Sequence, residues 1–376
     1  MDLIEQSKEL VVKLAIEDRE QYSKFLNLAK EFAIKNNIYI LETFKKTDLD
    51  SYKYQFYSVN AFRKSSELCD EFYKLDPVLA RYAKVLTKIK YYMFSIVVNE
   101  RELIVMINLH YNLTKIVMPV YKDDLLYLGS DISNVVILEK LCSPANYKDW
   151  DKLIDEIDVK IKIDYDCESK PELSSNYETK LDYVQKLIPL IEDSDFILIG
   201  SAAISDGYNR LQIITQIPFS SVVERIEKIL DKITYNIVDL KFITDCRLKR
   251  MTVYCDEHAI MDVFNNGQYE LVPYVKKGKI KIGSIFVLMR FRLIDFWTLK
   301  VLLSLEAINV KYARTMLKTI RTDYDKLNKY FIEKKQKLLT YEYQYGGVYD
   351  NIDLAIKRQS TEIIHPYYSL IKMGKN

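Results

Sequence analysis

The residues nearest to a catalytic pattern lie at 196–207, FILIGSAAISDG. A strand that ends in Gly-Ser and runs into a helix can cradle phosphate, because the N–H groups of the turn point outward together. Nucleotidyl transfer also needs metal. Two Mg²⁺ ions roughly 3.5–4 Å apart activate the attacking 3′-hydroxyl and steady the leaving pyrophosphate, so the following strand carries carboxylates at i and i+2 on one face. Here that strand reads Arg210-Leu211-Gln212-Ile213-Ile214, with no carboxylate pair, and Asp206 falls in the turn itself. A strand-to-helix turn that needs small residues accounts for the string, and independent catalysis there is not expected. GxSxG, P-loop, GxGxxG and HExxH motifs are absent. His110, His258 and His365 are widely separated in the sequence. Cys69, Cys142, Cys167, Cys246 and Cys255 are odd in number and contain no CxxC pair, so neither a disulfide framework nor a bound structural metal is expected.

A second set of residues suits binding rather than catalysis. On a helical reading of 307–337, Lys311, Arg314, Lys318 and Arg321 recur at spacings of three and four and form one basic stripe, which Lys300 and Lys329 extend. The stripe belongs to a charge asymmetry: residues 276–376 hold 20 Lys+Arg against 9 Asp+Glu, within a chain of 55 against 53. Such a basic quarter fits a polyanion or an acidic protein surface, and equally a solvated helix face.

The elements that must position these residues follow from periodicity. Apolar residues at helical spacing (Leu10, Leu14, Phe25, Leu28, Ala29, Phe32) predict an N-terminal helical arm over 1–37. Extended segments follow, then a helix over 61–75 stopped by Asp76-Pro77, and two strands, YYMFSIVV and ELIVMINLHYN, split by a turn at Asn99-Glu100. A polar stretch, DYDCESKPELSSN, reads as a linker that closes a first domain at 38–172. A second domain, 177–376, opens with LDYVQKLIPLI, continues with strands FILIG and LQIIT, a helix at 220–233 and strands near 237–244 and 251–255. It ends in helices over 284–305, apolar nearly all round, and 306–339, amphipathic and basic. Trp297 should be buried there, with Arg290, Arg292 and Asp295 at a polar edge or paired with one another. No repeat of 20–50 residues is visible, which excludes solenoids and propellers.

Composition sets the outer limits. The chain has 376 residues, 49% of them hydrophobic, with 9 Gly and 8 Pro, which excludes collagen-like and low-complexity architectures and leaves ample apolar material for more than one core. The longest apolar runs are broken by charges and no membrane span is expected. The N-terminus MDLIEQSKEL is unlike a signal peptide, so the cytoplasm is the expected compartment.

Four strings carry a resemblance: FITDCRLKRMTVY (242–254) with MDVFNNGQYELVPY (261–274), KIGSIFVLMRFRLIDFWTL (281–299), FYSVNAFRKSSELCDEFYK (56–74) and LEKLCSPANYKDWDKLIDEI (138–157). In this order they resemble the catalytic subunits of poxvirus and giant-virus poly(A) polymerases, over roughly residues 38–300. The resemblance implies an α+β fold with two tandem nucleotidyltransferase-like domains. Where that family holds nucleotide phosphates with Tyr-Gly-Gly-Thr-Ala, this chain has Tyr39-Ile40-Leu41-Glu42-Thr43, so Ile40 and Leu41 stand in the phosphate turn. Where the family has its metal-binding Asp-x-Asp, the chain has Lys53-Tyr54-Gln55, and its third carboxylate position aligns with Asn112. The resemblance therefore implies a pseudoenzyme with no cofactor; the alternative, an active or accessory poly(A) polymerase, would need Mg²⁺ and ATP.

A polymerase-like chain without its active site, rich in Tyr, Lys, Ile and Asn, is also similar to the immunity proteins of yeast cytoplasmic linear killer plasmids. That similarity implies an antitoxin whose partner is a protein toxin, a tRNA anticodon nuclease, or the tRNA or other RNA it cuts, with a homodimer among the assemblies open to it. Lys311, Arg314, Lys318 and Arg321 are the candidate partner-binding residues.

Overall fold

A computed structural model describes residues 21–40, 54–142, 150–157, 177–239 and 248–338, with short gaps inside these ranges, the longest at 205–209 and 266–271. The chain divides into two compact units, Met1–Ser133 and Asn134–Asn376. The linker read at 164–176 lies outside the described residues.

In the first unit, helix α1 spans 21–35, followed by β1 (Tyr39–Ile40), β2 (Tyr54–Ser58), α2 (Ala61–Leu75), β3 (Lys84–Ile89), β4 (Met93–Val98), β5 (Arg101–Asn108), α3 (Tyr111–Thr114), β6 (Val120–Lys122) and β7 (Leu125–Tyr127). Ala61, Ser65, Leu68 and Phe72 recur at helical spacing and bury one face of α2. The helix stops at Asp76, whose carboxylate accepts the Val78 and Leu79 N–H groups just after Pro77 fixes the backbone. Phe25, Ala29 and Phe32 of α1 pack in the same core as Phe56, Phe72, Phe94 and Ile104. The described part of the expected N-terminal arm is therefore an integral layer of the first unit, because its apolar face finds the sheet.

The second unit contains α4 (Ser130–Leu141), which begins at the seam, α5 (Trp150–Asp155), α6 (Tyr177–Lys186), α7 (Ile188–Ile191), β8 (Phe196–Ile199), α8 (Ser201–Ile204), β9 (Leu211–Thr215), α9 (Phe219–Glu227), β10 (Ile233–Asp239), β11 (Lys249–Cys255), β12 (His258–Asn265), β13 (Tyr274–Lys277), β14 (Ile280–Gly283), α10 (Ile285–Ser304) and α11 (Val310–Leu338). Helix α9 ends at Glu227, short of the expected 233, because the chain turns into strand β10 there.

The two seven-stranded sheets have the same strand order, β3-β4-β5-β2-β1-β7-β6 and β10-β11-β12-β9-β8-β14-β13. The central pairings agree residue by residue. One displacement along the chain carries Gln55, paired with Val105, to Gln212, paired with Asp262, and Ser95, opposite Val105, to Thr252, opposite Asp262. The same displacement carries the hairpin turn Asn99-Glu100 to Asp256-Glu257, and all four residues have positive φ, as a tight two-residue hairpin requires.

Helix α10 is buried over nearly its whole circumference, from Ile285 to Val301. Helix α11 buries Ala313, Leu317, Ile320, Tyr324, Leu327 and Phe331, a seam with spacings of four and three. No helix among the described residues is long and apolar enough to cross a membrane.

Candidate functional site

In the first sheet, alternation along β2 sends Phe56 into the core and leaves Gln55 and Tyr57 on the opposite face. The Gln55 amide donates to the Tyr57 hydroxyl at 2.7 Å. Across the sheet, Gln55 stands beside Val105 and Tyr57 beside Ile107, with Ser95 opposite Val105 and Tyr39 opposite Tyr57. Tyr39 in turn faces Leu126, which faces Tyr121 on the edge strand, where that ring is 75% exposed. Burial, helped by the neighbouring Tyr121, raises the Tyr39 hydroxyl above its ordinary pKa. This face is amide, phenol, hydroxyl and aliphatic. Mg²⁺ demands anionic oxygens in octahedral array, and the donors here do not fit it.

The structure relocates two of the positions expected from sequence. Ile40 is a strand residue of β1, buried and in register with Phe56 and Tyr127, so its side chain is core. Asn112 lies in the short helix α3, past the end of β5; the β5 residue that faces Gln55 is Val105, and it takes the place expected for Asn112. The chain leaves the strand at Asn108, whose side-chain oxygen accepts the Ala61 N–H and ties the end of β5 to the start of α2. Leu41, Lys53 and Asp206 lie outside the described residues, as does the Asn112 side chain.

The second sheet has a different chemistry at the same positions. Arg210 pairs with the Asp262 carboxylate, which also accepts from Thr252 Oγ1 at 2.7 Å and from Gln212 Nε2 at 3.3 Å. Gln212 Nε2 reaches Asp295 of α10 at 3.0 Å, and the Gln212 carbonyl accepts from Arg292. The Arg292 guanidinium holds Asp295 at 2.5 Å with one nitrogen and lies 3.4 Å from Asp323 of α11 with the other; Asp323 accepts from Ser201 Oγ at 2.5 Å. Thus Arg292 and Asp295 do pair, as the i, i+3 spacing predicts, but inside the core rather than at a polar edge, with Arg292 only 1% exposed. Arg290 instead reaches Glu139 at 3.3 Å.

This network explains the Gly-Ser turn. Gly200 has φ +75°, and a Cβ there would lie 2.1 Å from Gln212 Oε1 and 3.0 Å from the Arg292 guanidinium. The turn that might have cradled phosphate is packed against side chains of its own domain, so a small residue is needed for fit. Sequence reading missed Asp262, Thr252 and Asp323. The available signal was the isolated charge of Asp262 in an apolar strand, since a buried acid must find a partner; Asp323, among other charged residues, gives no such signal.

Burial would push the Asp262 carboxyl up, but Arg210 and Arg250 beside it, with the Thr252 hydroxyl, hold it below the usual carboxylate range. A carboxyl with a depressed folded-state pKa contributes stability that is complete above its unfolded value, about 3.9, and is lost as pH falls through the folded value. Asp262→Asn should therefore be less stable than the parent at pH 7, with the difference closing below about pH 4, as read by urea melts across that range.

Of the basic stripe, Arg314, Lys318 and Arg321 are exposed on α11 opposite its buried seam, with Arg321 3.9 Å from Asp325. The Lys311 side chain lies outside the described residues. Lys300 does not extend the stripe: its ammonium lies 4.6 Å from the Phe296 ring centre and 5.1 Å from that of Trp297.

Two sheets of this order, each with a paired central strand followed by a helix, define a tandem nucleotidyltransferase-like fold. The crystal structure of the Megavirus polyadenylate synthase matches with a TM-score of 0.63 at 14% identity, over 93% of this chain and 76% of that one. In sequence, the chain is similar to an uncharacterized protein of African swine fever virus: 27% identical over 325 residues, 75% of this chain and 76% of the relative, in a South African tick isolate and a Namibian warthog isolate. A Malawian tick isolate gives 27% over 284 residues, 66% of this chain and 68% of that relative. No protein-family model matches.

Proposed function

We propose that this chain is a catalytically inactive poly(A)-polymerase-like protein that works in the cytoplasm by binding RNA. The reading rests on Lys53 and Gln55, which stand where the resemblance has its metal-binding Asp-x-Asp, and it is supported by the β2–β5 face, where Gln55, Tyr57 and Val105 supply no carboxylate. Nucleotidyl transfer stabilises charge on phosphate oxygens through metal ions, and an amide, a phenol and an isopropyl group hold none. In the first unit, Tyr121 offers an open ring for stacking of a base. In the second unit, taken by itself, the exposed Arg314, Lys318 and Arg321 of α11 suit phosphates. Viral relatives give no support to the antitoxin role or to a nuclease toxin as partner.

Incubation with ATP, Mg²⁺ or Mn²⁺ and a labelled oligo(A) primer should yield no extension. Metal-dependent extension that disappears on Gln55→Ala would overturn the reading in favour of an active polymerase. Replacing Lys311, Arg314, Lys318 and Arg321 by Glu should abolish binding of labelled single-stranded RNA, and each lost phosphate contact should lower the slope of log affinity against log salt by about 0.7. A folded quadruple variant that binds RNA as the parent does would exclude the stripe from the interface.

A further inference from the structure

We propose that the hairpin formed by β13 and β14 is a further RNA-contacting element, a basic finger that grips phosphates without reading bases. Residues 276–281 read Lys-Lys-Gly-Lys-Ile-Lys, four ammonium groups in six positions. Antiparallel pairing sets Lys276 directly opposite Lys281 and Lys277 opposite Ile280, and leaves Gly278 and Lys279 as the turn. Lys276, Lys277, Gly278 and Lys279 are all exposed. Gly278 has φ +62°, and a Cβ there would meet no atom of the described residues within 4 Å, so the tip is open. Lys279 lies 3.9 Å from Glu192, a pair of exposed side chains worth little, and the Lys281 ammonium lies 5.0 Å from the Tyr274 ring centre.

Like charges directly opposite each other on a ribbon destabilise it. The duplicated fold shows that the hairpin does not require them. Strands β6 and β7 hold the same places in the first sheet, where Tyr121 faces Leu126 at the position of Lys276 and Lys281, and the residues between the strands are Asp123 and Asp124. The lysines therefore serve something other than folding. A protein interface is centred on apolar and aromatic anchors and is depleted in lysine, whereas the four exposed residues of this tip include no apolar side chain. A phosphodiester backbone carries charge at every residue and needs only cations. Lysine meets it as a point charge, without the planar fork by which arginine reads a base edge, so the contact is independent of sequence. The inference deepens the RNA-binding reading and rests on it, adding a contact that α11 does not supply.

The test is fluorescence anisotropy of labelled oligo(U) with the full chain over a series of KCl concentrations. The variant Lys276→Gln/Lys277→Gln/Lys279→Gln should bind about tenfold or more weakly near 0.1 M KCl, and the slope of log affinity against log salt should fall by about 2, three contacts at about 0.7 each. Its melting temperature should equal or exceed that of the parent, because the repulsion between Lys276 and Lys281 is gone. Lys279→Gln alone should show about a third of the slope change. The control Lys228→Gln/Lys232→Gln removes two exposed charges, one just after α9 and one just before β10, and should leave the slope as it is in the parent. Binding by the parent with the same affinity and slope in the hairpin variant would overturn the proposal and leave the α11 reading standing, whereas no binding by the parent at low salt would overturn both. A slope change per lysine in the control equal to that in the hairpin variant would show an effect of bulk charge and overturn the proposal. Poly-glutamate bound as tightly as oligo(U), with the same dependence on the three lysines, would assign the finger to an acidic protein surface and overturn it.

Discussion

Arg292→Ala is expected to cost about 3–5 kcal/mol, seen as a lower urea midpoint for the second unit with little change in slope. The side chain is buried, and it serves Gln212 and Asp295 with one nitrogen and Ser201 and Asp323 with the other. Its removal leaves two buried carboxylates, from two different helices, without the cation they share. Arg292→Lys should recover little, because a single ammonium cannot reproduce the planar fork that reaches both acids. Arg290 supplies the internal contrast. It lies two residues earlier on α10 and meets the more exposed Glu139 at 3.3 Å, so Arg290→Ala should cost clearly less. An unchanged midpoint for Arg292→Ala would mean that the network does not support the core.

How much of this was legible beforehand follows from the physical range of each signal. Helix α2 was read to the residue because its burial pattern, its Asp-Pro stop and its capping carboxylate are all local. The hairpin at Asn99-Glu100 was legible for the same reason. The apolar helix α10 is legible from its composition all round, whereas for Arg292 and Asp295 the sequence leaves a polar edge and a mutual pair both open. What stayed hidden is long-range. The resemblance implies two tandem domains, but the matching register of their sheets is not visible as a short repeat, because strand order and pairing are preserved while the side chains diverge. Parallel pairing of β2 with β5 joins residues far apart in sequence, so the neighbour of Gln55 could not be deduced by counting, and Asn112 was taken for a position that Val105 holds. Asp262 was invisible as a site residue for the same reason, although its isolation between Met261 and Val263 in an apolar strand marked it as an acid in need of a partner.

The contrast between the two sheets bears on what each unit can do. In the first, the face opposite the core carries the Gln55–Tyr57 hydrogen bond and ends at an exposed tyrosine on the edge strand. In the second, the equivalent face is closed by the Arg210–Asp262 pair, by Gln212 of β9 bonded to Asp295 and Arg292 of α10, and by the Arg292–Asp323 pair between α10 and α11. Binding chemistry is therefore sought on the first sheet and on the outer face of α11, while the interior of the second unit serves to hold those helices in place.

Trp297→Ala is expected to cost about 3–5 kcal/mol, the range for truncating a large buried aromatic side chain. Trp297 is 2% exposed, its ring meets Phe296 edge-on at 5.6 Å, and the Lys300 ammonium lies over it. The indole N–H has no hydrogen-bond partner among the described residues, so the ring works by volume and contact. Trp297→Phe should then cost well under half as much as Trp297→Ala, because it keeps an aromatic ring for Phe296 and removes an N–H that is buried without a partner. Equal losses for the two variants would show that the indole nitrogen is engaged after all; no loss for either would place the residue outside the core. Thermal melts of the two variants beside the parent, with Lys300→Ala as a surface control expected to cost about 1 kcal/mol or less, separate these outcomes.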